Sequence, residues 1–264
     1  MDMRLEDRAV VAVSGPDARE FLQGLITNDL RRLHTPCYAA LLTPQGKILF
    51  DFLIGEQNGA FLLDCAAEFR DAFVKRLSLY RLRAKIEITP RDDLAVVWHE
   101  EGVTNSTFWP DPRHKALGSR AIMPETDGAR GGKQFEMARL DAGVPEGRDF
   151  GQDKIFALDG DLDELHGIAF DKGCYVGQEL TARMKHKGTV RKRLLPVRTA
   201  AGTDLPSPGS AIAADGREVG AIQSVYGQRG FALMRLDRLA EAEGAALRAQ
   251  DTGVTIDKPA WLFA

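Results

Sequence analysis

Apolar and polar positions along the chain switch repeatedly between a period of two and a period of three to four. Residues 8–13 form a short apolar run that predicts a strand. Ser14-Gly15-Pro16 then opens a helix, with the proline near the first turn, where its missing N–H costs least. Ala18, Phe21, Leu22, Leu25 and Ile26 recur at helical spacing and give that helix one buried face. Residues 39–42 and 48–55 read as two strands joined by Thr43-Pro44-Gln45-Gly46, and Asn58-Gly59 turns the chain into a third at 60–63. Asp64 suits the N-cap of a helix whose apolar face is Phe69, Phe73, Leu77 and Tyr80. Short strands follow near 85–89, 94–98 and 120–123. A helix spans 132–142 and ends at Gly143, while 152–167 is irregular and 128–132 is a glycine-rich loop.

After Lys192 the texture changes. Apolar runs at 194–198, 211–213, 219–226, 231–236 and 254–256 alternate with turns such as Asp215-Gly216 and Gly227-Gln228. Short strands at this spacing predict a small antiparallel barrel. The expected organisation is therefore a larger unit over 1–192 and a barrel over 193–264.

Composition narrows the partners. The 264 residues carry a net charge of −3, so no global basic field draws in nucleic acid. No apolar run reaches the ~20 residues of a membrane span, so no membrane partner is expected. The first eight residues are acidic and lack a leader's apolar core, which predicts a cytoplasmic protein. Three widely spaced cysteines, Cys37, Cys65 and Cys174, fit a reducing compartment. The five histidines add no metal-ligand spacing, so no permanent metal is expected.

The densest chemistry lies in Lys172-Gly173-Cys174-Tyr175-Val176-Gly177-Gln178-Glu179. A free cysteine is most often a small buried hydrophobe, which is the reading for Cys37 and Cys65 in their apolar runs. Cys174 differs. Two glycines permit close approach, a helix starts near Gly177, and Lys172, Lys185 and His186 add positive charge, all of which favour a thiolate. The cations Arg183, Lys185, His186, Lys187, Arg191, Lys192 and Arg193 form a basic run. It is either a solvated face or a docking surface, with RNA last among its partners for want of an RNA-recognition motif.

The eight-residue signature resembles that of the YgfZ-type folate-binding proteins, a group that includes mitochondrial iron–sulfur assembly factors and is related to the aminomethyltransferase (T-protein) of glycine cleavage. The likeness continues through Leu180-Thr181-Ala182-Arg183, His186-Lys187-Gly188 and Arg191-Lys192-Arg193-Leu194. Upstream it includes residues 162–170, 21–30 and 42–47.

The resemblance implies an α+β fold, with two interwoven ferredoxin-like subdomains before the barrel. It implies a tetrahydrofolate-sized cavity and work on iron–sulfur proteins with assembly or client partners. Cys174 would be the working thiol, tuned by Lys172, and Asp51, Arg139, Asp141, Tyr175, Gln178 and Glu179 would hold a folate. Departures from the T-protein pattern, Cys174 in place of an acid and one acid (Asp51) in place of two, weigh against aminomethyl transfer. A folate-dependent one-carbon transferase and a non-catalytic scaffold remain the alternatives.

Overall fold

The computed structural model describes residues 1–33, 36–103, 105, 107–125, 129–188 and 190–262. The chain opens with β1 (Asp2–Arg4), then leaves it to build a separate five-stranded sheet. That sheet holds β2 (Arg8–Ser14), β3 (Cys37–Leu42), β4 (Ile48–Gln57), β5 (Ala60–Ala66) and β6 (Glu87–Pro90), in the order β3-β4-β5-β2-β6. Helices α1 (Ala18–Gln23) and α2 (Arg70–Tyr80) cover one face. The chain then returns to β1 with β7 (Leu94–His99), β8 (Trp109–Pro110) and β9 (Ser119–Pro124), which complete a second sheet ordered β1-β7-β9-β8. This return is what interweaves the two subdomains.

Strands β2 to β5 are largely buried on both faces, which explains their apolar runs, whereas the edge strand β6 has no buried residue. In β2, Val11 and Val13 pack under α1 and α2 with Leu22, Phe52, Phe73 and Leu77. Val10 and Ala12 face the opposite way, toward Trp98, Phe135 and Leu140. In β3, Ala39 and Leu41 take the helical side and Tyr38, Ala40 and Leu42 the other. The β4–β5 hairpin turns on Asn58 (φ 50°) and Gly59 (φ 76°), the positive-φ pair that a two-residue turn requires.

Helix α3 (Gly132–Ala142) lies on the second side and stops at Gly143, whose φ of 68° closes the helix. The expected loop over 128–132 begins at Gly128, outside the described residues, and its last member opens α3. A string of turns over 151–166 leads to α4 (Gln178–Lys187).

Six further strands, β10 (Lys192–Arg198), β11 (Ala211–Ala214), β12 (Arg217–Tyr226), β13 (Arg229–Arg235), β14 (Leu247–Ala249) and β15 (Thr252–Ile256), close a barrel in the order β10-β13-β12-β11-β14-β15. Helix α5 (Leu236–Glu241) sits between β13 and β14. Leu194 and Phe231 point out of the barrel into the core shared with α3, so the barrel is packed against the larger unit.

One expectation fails for a clear reason. Asp64 caps no helix: it lies inside β5, fully buried, and its carboxylate accepts from Arg8 Nε at 2.6 Å and Arg120 Nη1 at 2.7 Å. Helix α2 starts six residues later without a side-chain cap. A buried charge with two guanidinium partners outweighs one capping bond.

Candidate functional site: a thiol-bearing loop

Residues 172–177 form a short loop between the string of turns and α4. Its backbone is held from four directions. Lys172 is buried, and its Nζ donates to the carbonyl oxygens of Gln23 (2.8 Å), Ile26 (2.6 Å) and Asn28 (2.8 Å), while lying 5.0 Å from the Tyr175 ring centroid. Tyr175 is inserted into one core and the next residue, Val176, packs against the other. Gly177 adopts φ 83°, and a Cβ there would stand 2.5 Å from Thr43 O and 2.9 Å from Leu42 Cβ. Only glycine lets the loop sit this close to the β3–β4 turn. Between these anchors Cys174 is exposed, and at Gly173 an added Cβ would meet nothing within 4 Å. The loop is rigid at its ends and open at its sulfur.

The preceding turn is tied to the same segment. Thr27 Oγ1 donates to Gly167 O at 2.6 Å, Asn28 Nδ2 donates to His166 O at 2.8 Å, and Ala169 N–H donates to Thr27 O at 3.0 Å. Thus two distant stretches, residues 21–30 and 162–179, meet to build one platform.

The other two thiols are different. Cys65 is buried and Cys37 half-buried, and burial pushes both up to about 12, so neither is ionised at neutral pH. Cys174 is the exposed thiol. Helix α4 begins four residues after it, which places that helix's positive end on the thiol side of the loop.

Several expected roles are corrected. Lys172 has a structural task as well: burial pulls the ammonium down to about 8, with Asp29 opposing, and all three of its protons are taken by carbonyls. It is a strut. Replacing it with methionine should cost about 3 kcal/mol, because charge-assisted bonds are lost and buried acceptors are orphaned. Chemical denaturation of Lys172→Met checks this.

Lys185 is directed to Asp163 (3.4 Å) and the Phe170 ring (5.1 Å to centroid). Arg183 pairs with Glu179, which is itself exposed, so Glu179 faces solvent and no cavity. Gln178 is half-buried at the first turn of α4. Arg193, expected in a solvated run, turns inward to Leu158 O, Asp163 and Glu164 and fastens the turns over 158–164. His186, Lys187, Arg191 and Lys192 remain exposed.

The expected folate ligands scatter. Asp51 is buried, accepting from Gly147 N–H at 2.8 Å and Tyr38 OH at 3.1 Å, and burial raises its pKa. Asp141 faces outward and pairs with Arg229 at 2.6 Å. Arg139, two residues earlier on α3, points inward to Asp149 (2.6 Å), Val144 O (2.9 Å) and Tyr226 OH (2.9 Å). It belongs to a buried ionic network that the sequence reading missed: Arg8, Asp64, Asp111, Arg113, Arg120, Glu146 and Asp149.

Beside this network lies a polar cavity of about 170 Å³, reached by Arg8, Arg139, Glu146, Arg148 and Tyr226. Ordinary small-molecule pockets hold roughly 300–1,000 Å³. This cavity does not enclose a whole folate, and Asp51 and Asp141 do not line it. Asp141 borders a separate cavity of about 620 Å³, with Met137, Ala142 and Trp261.

The chain, with its two interwoven sheets and terminal barrel, has the fold of an aminomethyltransferase T. It superposes on the glycine cleavage system aminomethyltransferase T of Bartonella henselae with a TM-score of 0.74, covering 99% of this chain and 86% of that one at 15% identity. Residues 191–264 match the family model described as the CAF17 C-terminal beta-barrel domain.

The human mitochondrial iron–sulfur cluster assembly factor IBA57 is 34% identical over 281 residues, covering 89% of this chain and 78% of that protein. The Neurospora crassa mitochondrial homologue is 35% identical over 229 residues, covering 73% of this chain and 52% of that one. The chain belongs to the IBA57 family of iron–sulfur cluster assembly factors. Its relatives are mitochondrial proteins, and this overturns the cytoplasmic placement expected above. The acidic first eight residues were the ground for that placement, and they report only on themselves.

Proposed function

We propose that the chain is an accessory factor in iron–sulfur protein assembly that lends one thiolate, Cys174, to a cluster held jointly with a partner protein. The observation that carries this reading is the pairing of one exposed, rigidly mounted thiol with an absence of companions. Among the described residues no group of three or more His, Cys, Asp or Glu side chains can hold a metal ion. Iron–sulfur clusters are commonly bound by about four cysteine-type ligands. One thiol can supply only one of them, so the rest come from another chain. In the handover Cys174 loses its proton to solvent and its sulfur takes one coordination position, displacing a ligand. No redox change is required.

The exposed cations Lys187, Arg191 and Lys192, at and just beyond the end of α4, favour an acidic face on that partner. Folate is left out of the reading, because the acids expected to hold it share no cavity. Aminomethyl transfer is left out with it.

Anaerobic mixing with a cluster-loaded carrier protein, followed by size-exclusion chromatography with visible-light detection, tests the proposal. Visible absorbance should travel with a two-protein complex, and the chain alone should load no cluster. A complete cluster on the isolated chain would sink the proposal. Saturable micromolar tetrahydrofolate binding by calorimetry, with no cluster-bearing complex, would transfer the reading to one-carbon chemistry.

A further inference from the structure

The end of α2 and the turn after it carry chemistry that the thiol loop does not use. Residues 75–85 read Lys-Arg-Leu-Ser-Leu-Tyr-Arg-Leu-Arg-Ala-Lys: five cations and no acid. Phe73 and Leu77 bury the inner face of α2, whereas Leu79 is 64% exposed and Leu82 is 89% exposed. Leu82 is at the corner of the turn closed by Ala84 N–H donating to Arg81 O at 2.8 Å, and it is held at φ 44°. Leucine adopts that left-handed region only at a cost, so the backbone is committed to thrusting this side chain outward.

Lys75, Arg81, Arg83 and Lys85 are exposed around the two leucines, and Arg76 is half-buried. Among the described residues none of these five side chains makes an ion pair or hydrogen bond. The bordering acids are occupied or lie outside the patch. Asp17 accepts the backbone N–H of Lys85 at 2.7 Å, Asp71 pairs with Arg70, and Glu87 lies beyond, in β6.

We propose that this patch is a docking surface for an anionic lipid bilayer, with Leu79 and Leu82 entering the headgroup region and the five cations meeting lipid phosphates. Protruding aliphatic side chains ringed by Lys and Arg are the pattern of surface-lying, non-spanning membrane contact. None of the cavities around the thiol loop, the ionic network or α3 includes the patch. Leucine is under-represented among the anchors of protein interfaces, and the one aromatic residue within 75–85, Tyr80, is half-buried against the α2 core.

Placement also fits. The cationic turn over 81–85 runs directly into β6, one edge strand of the five-stranded sheet, whereas the thiol loop leans on the β3–β4 turn at the opposite edge. A bilayer on the first edge leaves Cys174 free for a protein partner.

The test is co-sedimentation of the full chain with phosphatidylcholine vesicles, with and without phosphatidylglycerol. Binding should need the anionic lipid and weaken as salt rises. Arg81→Gln with Arg83→Gln should reduce the partition about 25-fold, at about fivefold per cation. Leu79→Ser with Leu82→Ser should reduce it further at high salt, where the aliphatic contribution dominates. Both variants expose no core, and unchanged thermal melting confirms that each is folded. Lys187→Gln with Arg191→Gln, on the thiol side, should leave vesicle binding unchanged. No sedimentation with anionic vesicles overturns the proposal. So does sedimentation that ignores the patch variants, or patch-dependent retention by an acidic protein without any vesicle binding.

Discussion

Cys174→Ser is expected to abolish the chain's support of iron–sulfur enzymes while leaving the fold intact. The side chain is exposed, so stability should change by less than about 0.5 kcal/mol. Its hydroxyl is a hard, weakly acidic group and a poor ligand for iron in a sulfide cluster. Activity of client enzymes in a deletion strain should therefore fall to the level of the empty vector. The same change at Cys37 or Cys65 acts on packing, since burial keeps both thiols protonated. Full rescue by Cys174→Ser would remove the thiol from the account.

Asp64→Ala is expected to be the most damaging substitution for stability. Asp64 is fully buried and joins Arg8, from its own sheet, to Arg120, from the other sheet, whose second partner is Asp111 at 3.0 Å. Removing the carboxylate leaves two buried guanidinium groups short of counter-charge. Breaking a buried pair in this way costs about 3–5 kcal/mol, a large share of a domain's usual 5–15. Urea denaturation should show a markedly lower midpoint. A loss comparable to that of a surface ion pair would mean that the network is not what joins the sheets.

The sequence displayed strands β2 to β5 because both of their faces are largely buried, and apolar runs such as Ala39 to Leu42 need no alternation to be recognised. It did not display β1, whose three residues, Asp-Met-Arg, carry no apolar pattern and acquire a partner only when the chain returns with β7. Cys174 was legible because its glycines sit beside it.

The roles of charged residues were the least legible. Lys172 read as a cation tuning the thiol and Arg193 as part of a solvated run, since the carbonyls and carboxylates that receive them come from residues 23–28 and 158–164. Asp141 and Arg139 are two positions apart on α3, and so point to different sides of it, one to solvent and one to the network. Arginine within β9 was the available hint of that network: Arg120 interrupts an apolar strand, and only a buried acid makes that tolerable.

If the Cys174 sulfur becomes a cluster ligand, its chemical accessibility must change when the cluster binds. The free chain, its complex with cluster-loaded carrier, and that complex after iron chelation should each be pulsed with iodoacetamide under anaerobic conditions and read by peptide mass. Cys174 should be labelled quickly in the free chain, protected in the loaded complex and labelled again once the iron is removed, with Cys37 and Cys65 slow throughout. Equal labelling of Cys174 in the free chain and the loaded complex would contradict the account.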